Sequence, residues 1–186
     1  FPSFRSQSRR RFTTGGGSVS TINTMEKTMS AQLIYDLVPL GSTVTYSDGT
    51  PCPPERHRKK LAAWENRNSG GRLIRKQAER RAGNTTLPAT ITLHKGDYGS
   101  QGTIVMRVHQ TFSVNNDLRF AVKERPATGS VLVLDSAGDD AELVYLAGNR
   151  ADAVEWLTRH GYPNAVLSEV TVDAVAADAV EGRTAA

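Results

Sequence analysis

The sequence predicts a single α+β domain: mainly an antiparallel sheet, with two basic helices near its N-terminal side and one helix near its C-terminal side. Three observations carry this expectation. Apolar and polar residues alternate from residue 88 to residue 122, the pattern of strands with one buried face. Lys and Arg recur at helical spacing between residues 55 and 82. Asn149, a good N-cap, precedes Ala151, Val154 and Leu157 at helical intervals, with Gly161 as a stop.

Taken in order, residues 33–37 and 42–46 read as short strands separated by Pro39 and Gly41, and Ser47-Asp48-Gly49 reads as a turn. Pro51, Pro53 and Pro54 break any strand. A helix is expected from about residue 54 to residue 68, with Pro54 in its first turn and Glu55 at its positive end. Ser69-Gly70-Gly71 would stop it, and a second helix is expected over residues 72–82, with Leu73, Ile74 and Ala78 on one side. Ile91 and Leu93 then alternate with Thr90, Thr92 and His94. Residues 96–102, with three glycines, read as a loop. Ile104, Met106 and Val108 alternate with Val105, Arg107 and His109, and Asn115-Asn116-Asp117 turns the chain into Leu118, Phe120 and Val122. Residues 130–135 and 141–147 read as strands joined by an acidic loop, and residues 165–172 as the last strand.

A chain of 186 residues with 38% apolar content fits one domain with tails. Residues 1–28 form a basic extension in which Arg5, Arg9, Arg10 and Arg11 stand among Ser, Thr and Gly with no acid before Glu26. Such composition cannot bury enough surface to fold, so the extension is expected to be disordered and to lie outside the native protein, which would begin at Met25 or Met29. The competing reading is a transit peptide, which is likewise rich in Arg and Ser. The domain proper is expected over residues 29–172, followed by an Ala-rich tail at 173–186. The longest apolar runs, 131–134 and 143–147, fall far short of the roughly 18 residues that read as a membrane-spanning helix, so no membrane association is expected. The single cysteine, Cys52, excludes an internal disulfide and speaks against structural zinc; a reducing, cytoplasmic setting is the expectation.

Charge is the informative feature. The net charge of +4 conceals an asymmetry: residues 55–82 hold ten Lys/Arg against three Glu, and residues 135–186 hold ten Asp/Glu against three Arg. On a helix, Arg56, Lys59, Lys60 and Arg67 fall within one sector about 100° wide, with His57, Leu61 and Trp64 beside it. Arg72, Arg75 and Lys76 would share one side of the second helix, which also carries Arg80 and Arg81. Cations grouped in this way neutralise several phosphates at once. Gly70 and Gly71 would free backbone amides at the start of the second helix as a phosphate cradle, and helix, break, helix is compatible with a helix-turn-helix. The expected function is a non-enzymatic accessory protein that grips nucleic acid, DNA foremost, by its phosphate backbone through these nine residues. The competing readings are a solvated basic face balanced by the acidic half, a protein-interaction module, and, third, an enzyme of unrecognised class.

Nothing in the sequence suggests catalytic residues, a metal site or a cofactor. His57, His94, His109 and His160 lack metal-ligand spacing and read as ordinary surface residues, although His94 and His109 face each other if the meander forms. No Walker A, dinucleotide-binding or nucleophile-elbow pattern occurs. Asp135, Asp139, Asp140 and Glu142 lack EF-hand spacing and read as an acidic turn. Trp64 and Trp156 read as core anchors, with Trp64 keeping a claim as a stacking platform because cations surround it.

The phrases Pro53-Pro54-Glu55-Arg56-His57 and Leu61-Ala62-Ala63-Trp64-Glu65-Asn66-Arg67-Asn68, with Glu169-Val170 before the Ala-rich tail, resemble uncharacterised accessory proteins carried by plasmids and integrative elements of α-proteobacteria. The resemblance covers residues 29–186. It implies a bacterial cytoplasmic protein with a DNA-linked role, and it brings no functional residue with it.

Overall fold

The computed structural model describes residues 28–100 and 103–172. The expected extension at 1–28, save its last residue, and the tail at 173–186 lie outside the described residues. All strand pairs are antiparallel.

The first element is a helix, α1 (Ala31–Leu37), where the sequence suggested a strand. The Ser30 side chain accepts a hydrogen bond from the Leu33 amide, and Ala31, Ile34 and Val38 are buried. Burial at intervals of three and four with a capping serine is a helical arrangement; a short run such as Leu33-Ile34-Tyr35 does not distinguish the two periods. Gly41 then takes φ +88, and a side chain there would press on Leu132, so the turn into β1 (Thr43–Ser47) needs glycine.

α2 (Arg58–Arg67) occupies the later part of the expected first helix, after a turn at Glu55-Arg56. The second basic helix does not form. Residues 69–77 are a strand, β2 (Ser69–Gln77), and residues 80–82 are a second one, β3 (Arg80–Ala82). The helix-turn-helix reading falls with it. β2 sits in the middle of a five-stranded sheet ordered β6-β5-β2-β1-β7, in which β5 is Thr90–Ser100, β6 is Thr103–Ser113 and β7 is Arg119–Glu124.

Two features disguised β2. A register shift between Leu73 and Arg75 inserts one residue, so Leu73 and Ile74 are both buried and strict alternation is lost. Gly70 and Gly71 look like a helix stop, yet they lie where neighbouring backbones nearly touch. A Cβ on Gly71 would stand 2.5 Å from the His94 carbonyl oxygen, and one on Gly70 would stand 2.9 Å from that of Val44.

The expected loop at 96–102 is also corrected as far as it is described. β5 runs on to Ser100, and register shifts fall at His94/Gly96 and at Tyr98/Gly99. Glycine at both places reads as loop chemistry in sequence while serving as bulges in a long hairpin. β4 (Thr85–Leu87) closes a small exposed hairpin on β3, with Gly83 at φ +62 in its turn.

The later elements follow expectation. β8 (Val131–Leu134), β9 (Leu143–Ala147) and β10 (Val166–Glu169) form a second sheet ordered β10-β8-β9. α3 (Arg150–Arg159) packs on it, with the Asn149 side chain accepting from the Asp152 amide. The main core lies between α1 and one face of the five-stranded sheet, where the rings of Tyr46, Phe112 and Phe120 meet at 4.7 to 6.1 Å. A smaller core under α3 gathers Val131, Val133, Ala147 and Ala153.

Gly71→Ala should cost about 1–3 kcal/mol in urea-melt stability, because the clashing atom is a central-strand carbonyl that cannot yield. Gly148→Ala, where a Cβ meets nothing within 4 Å, should change stability by less than about 0.5 kcal/mol. Equal effects at the two positions would contradict the packing described for β2.

Candidate functional site

The nine cations are distributed over three elements instead of two helices. Lys59, Lys60 and Arg67 are on α2, with Arg56 in the turn before it; Arg72, Arg75 and Lys76 are on β2; Arg80 and Arg81 are on β3. Three of the nine reach other elements of the protein, and a fourth, Arg56, donates its Nε–H to the adjacent His57 Nε2 at 3.2 Å. The Arg67 Nε donates to Asp48 at 3.0 Å, and its outer nitrogen reaches Asp117 at 3.3 Å. The Arg75 Nε donates to the Asp140 carbonyl at 2.8 Å, with Glu142 at 4.0 Å from its guanidinium. The Lys76 ammonium donates to the Tyr35 carbonyl, and burial pulls its pKa down while Asp36 opposes the shift. Among the described residues, Arg75 is the one of the nine that pairs with the acidic half of the chain.

The other six make no ion pair with a described residue. Arg56, Lys59 and Lys60 crowd the start of α2 with Arg58, a fourth exposed cation that the sector argument passed over. The first turn of α2 holds no acid, and the His57 side chain makes no capping hydrogen bond. Free amides and the helix dipole already make that end positive, so clustered cations there work against helix stability. The helix is held by its other end. Trp64 is half-buried and its Nε1–H donates to the Thr50 carbonyl at 2.9 Å; Gln110 donates to the Asn66 carbonyl at 3.1 Å. That binding makes Trp64 an anchor first.

Asp48 ties the helix to the sheet. Its carboxylate accepts from the Thr50 hydroxyl and amide, from the Asn68 side-chain amide at 2.9 Å and from Arg67. These bonds, those from Thr50 foremost, hold its pKa far below the ordinary carboxylate range. Asn68 in turn accepts from the Asp48 amide and the Ser47 hydroxyl, so β1, α2 and β2 meet at one polar knot.

A second feature lies where the two sheets face each other, a cleft of about 310 Å³. One wall is a row of cross-strand neighbours on β2, β5 and β6: Arg72 stands opposite His94, and His94 opposite His109, their rings edge to face at 5.5 Å. The bulge after His94 brings Asp97 back within 2.9 Å of the His94 Nε2, and Arg107, across the ladder from Asp97, reaches the same carboxylate at 3.2 Å. The hydrogen bond from His94 leads the causes that lower the Asp97 pKa. The opposite wall is Trp156, stacked on Tyr145 at 4.9 Å and on His160 at 3.9 Å. Burial, with Asp152 adding to it, raises the Tyr145 pKa. The His160 Nδ1–H donates to the Trp156 carbonyl at 2.7 Å, which leaves its Nε2 uncommitted.

Three of the four histidines thus line one cleft, His94 half-buried and His109 and His160 exposed as the sequence suggested. Their link is strand register and the packing of two sheets, which no local spacing records; only the facing of His94 and His109 was legible. Among the described residues, no group of three His, Cys, Asp or Glu is arranged to hold a metal ion, and no helix is long and apolar enough to cross a membrane. Cys52 is exposed.

A family model described as "Uncharacterised conserved protein UCP036055" matches residues 29–174. No curated protein and no solved structure matches the chain.

Because Asp48 is hydrogen-bonded as an anion, its contribution to stability is complete above the unfolded carboxylate pKa of about 3.9 and declines as the pH falls below it. Asp48→Asn should lower the melting temperature at pH 7 and flatten its decline between about pH 4 and pH 2. An unchanged slope in that window would remove Asp48 from the account of the knot.

Proposed function

The chain belongs to the family of uncharacterised conserved proteins that this model describes, and from its own surface we propose that it is a non-enzymatic protein that binds nucleic acid by the phosphate backbone. The observation that carries the reading is the uncapped first turn of α2. Arg56, Arg58, Lys59 and Lys60 cluster there, with Glu55 before the helix and no acid in its first turn, in an arrangement that favours an anion.

Arg80 and Arg81 supply a second contact on the exposed β3–β4 hairpin. They lie beyond the far end of β2, about 25 Å along a strand of this length. A compact anion reaches one group or the other, whereas a phosphate backbone repeats its charge along its length. Contacts of this type carry little sequence information, so binding is expected to be largely indifferent to sequence. DNA is the expected form, in the setting of a bacterial plasmid or integrative element and of the cytoplasm that the family resemblance implies.

A protein-interaction reading has one observation in its favour. Tyr98, Ile104, Val105 and Met106 are 59%, 50%, 80% and 54% exposed on the outer part of the β5–β6 hairpin, and β6 is an edge strand.

A labelled short DNA duplex titrated with the chain at several salt concentrations tests the proposal, beside a variant with Arg58, Lys59 and Lys60 changed to Glu. The wild type should bind with steep salt dependence, and the variant should lose most of the affinity and about 3 units of the log–log salt slope. Acid in the first turn favours a helix, so the variant should melt no lower than the wild type, which separates lost binding from lost fold. Absence of binding at low salt, or an unaltered slope in the variant, would overturn the proposal.

A further inference from the structure

We infer that the cleft between the two sheets is a binding site for a small organic anion, one carboxylate or phosphate ester group on a compact apolar body. The site is distinct from the α2 surface and rests on different residues.

Charge balance selects an anion. The two acids of the cleft are already engaged: Asp97 accepts from His94 and Arg107, and Glu142 faces Arg75. Arg72 has no ion pair with a described residue and remains as the uncompensated charge at one end of the cross-strand row. Two strands away, beyond His94, His109 makes no hydrogen bond with a described residue, and the bond made by the His160 Nδ1–H leaves Nε2 facing no described partner, an acceptor in the neutral ring and a donor once protonated. The Arg72 guanidinium and the His109 imidazole therefore present donors into this space, and His160 adds a third in its protonated form, a set that recognises an oxyanion of one or two negative charges.

Rigidity and shape limit the size. Arg72 and His109 stand on the two strands that flank β5 in the five-stranded sheet, and His160 is held by stacking and by a backbone hydrogen bond. The backbone positions and the His160 ring are thus fixed before binding, and the exposed Arg72 side chain is the group that must be ordered. The volume of about 310 Å³ is at the lower end of ligand pockets, enough for a head group and a ring-sized body but not for a nucleotide strand. Ile74, Leu143 and the edge of Trp156 supply the apolar lining that such a body requires.

Trp156 provides the readout. In a Trp64→Phe background its fluorescence can be followed while the chain is titrated with benzoate and, separately, with phenyl phosphate, which share a ring and differ in the head group. Saturable binding of at least one is expected, weakened roughly 10- to 100-fold by Arg72→Gln, the cost of removing a charge-assisted hydrogen bond. His109→Gln should weaken it further while the far-ultraviolet circular dichroism stays that of the parent. The ion that binds more tightly identifies the head-group class. The Glu-substituted α2 variant should bind the anion like its parent, so failure of the nucleic-acid proposal and failure of this one are separable. No saturable change with either ion, or equal affinity in Arg72→Gln and its parent, would overturn the assignment.

Discussion

The close approach of backbones around β2 is the constraint on which the other features depend. At Gly71 there is no room for a Cβ against the His94 carbonyl, and at Gly70 little against that of Val44. Only glycine lets this segment lie as the middle strand between β1 and β5. Once it does, Leu73 enters the core under α1 and Arg72 is set over His94. α2 is left at the end of the sheet, hinged on the polar knot of Asp48 and Asn68. A side chain at Gly71 would therefore disturb the core, the cleft and the seat of α2 together.

The same placement decides what the basic segment can do. As two helices it would present one continuous cationic surface; as a helix, a central strand and a hairpin it divides. Arg67, Arg75 and Lys76 become structural, Arg72 turns into the intersheet cleft, and exposed charge is left at the two extremities. The clustering at α2 is the more telling of these. Solvation alone gives no reason for four cations around the end of a helix where the dipole is already positive, with no acid in its first turn and one, Glu55, before it.

Most of the alternating strands and the last helix were legible because local pattern and tertiary role coincide there; along the outer part of β6 they do not, since Ile104 and Met106 alternate as core residues would and are exposed. Ile91, Leu93, Phe120 and Val133 are core residues, and Asn149 caps as its chemistry suggests. Misreadings arose where local signals have two meanings. Glycines at 70, 71, 96 and 99 signal breaks in sequence but serve close packing and bulges here, and the extra residue at the Leu73–Arg75 bulge gives a false helical period. α1 was missed because three apolar residues in a row fit either period. The cations at the start of α2 were visible as a cluster, though not that they make no ion pair with a described residue. The cleft was beyond sequence reasoning, since Arg72, His94 and His160 are brought together by register and by the packing of two sheets.

The central claim is that the start of α2 is the surface on which nucleic acid docks. Backbone amide chemical shifts of the chain, followed as a short DNA duplex is added at low salt, test it most directly. The account predicts changes concentrated at residues 56–61, a second set at residues 80–87, and little movement at His94, His109 and His160. Changes confined to the β5–β6 hairpin or to the cleft, or none at all, would contradict it.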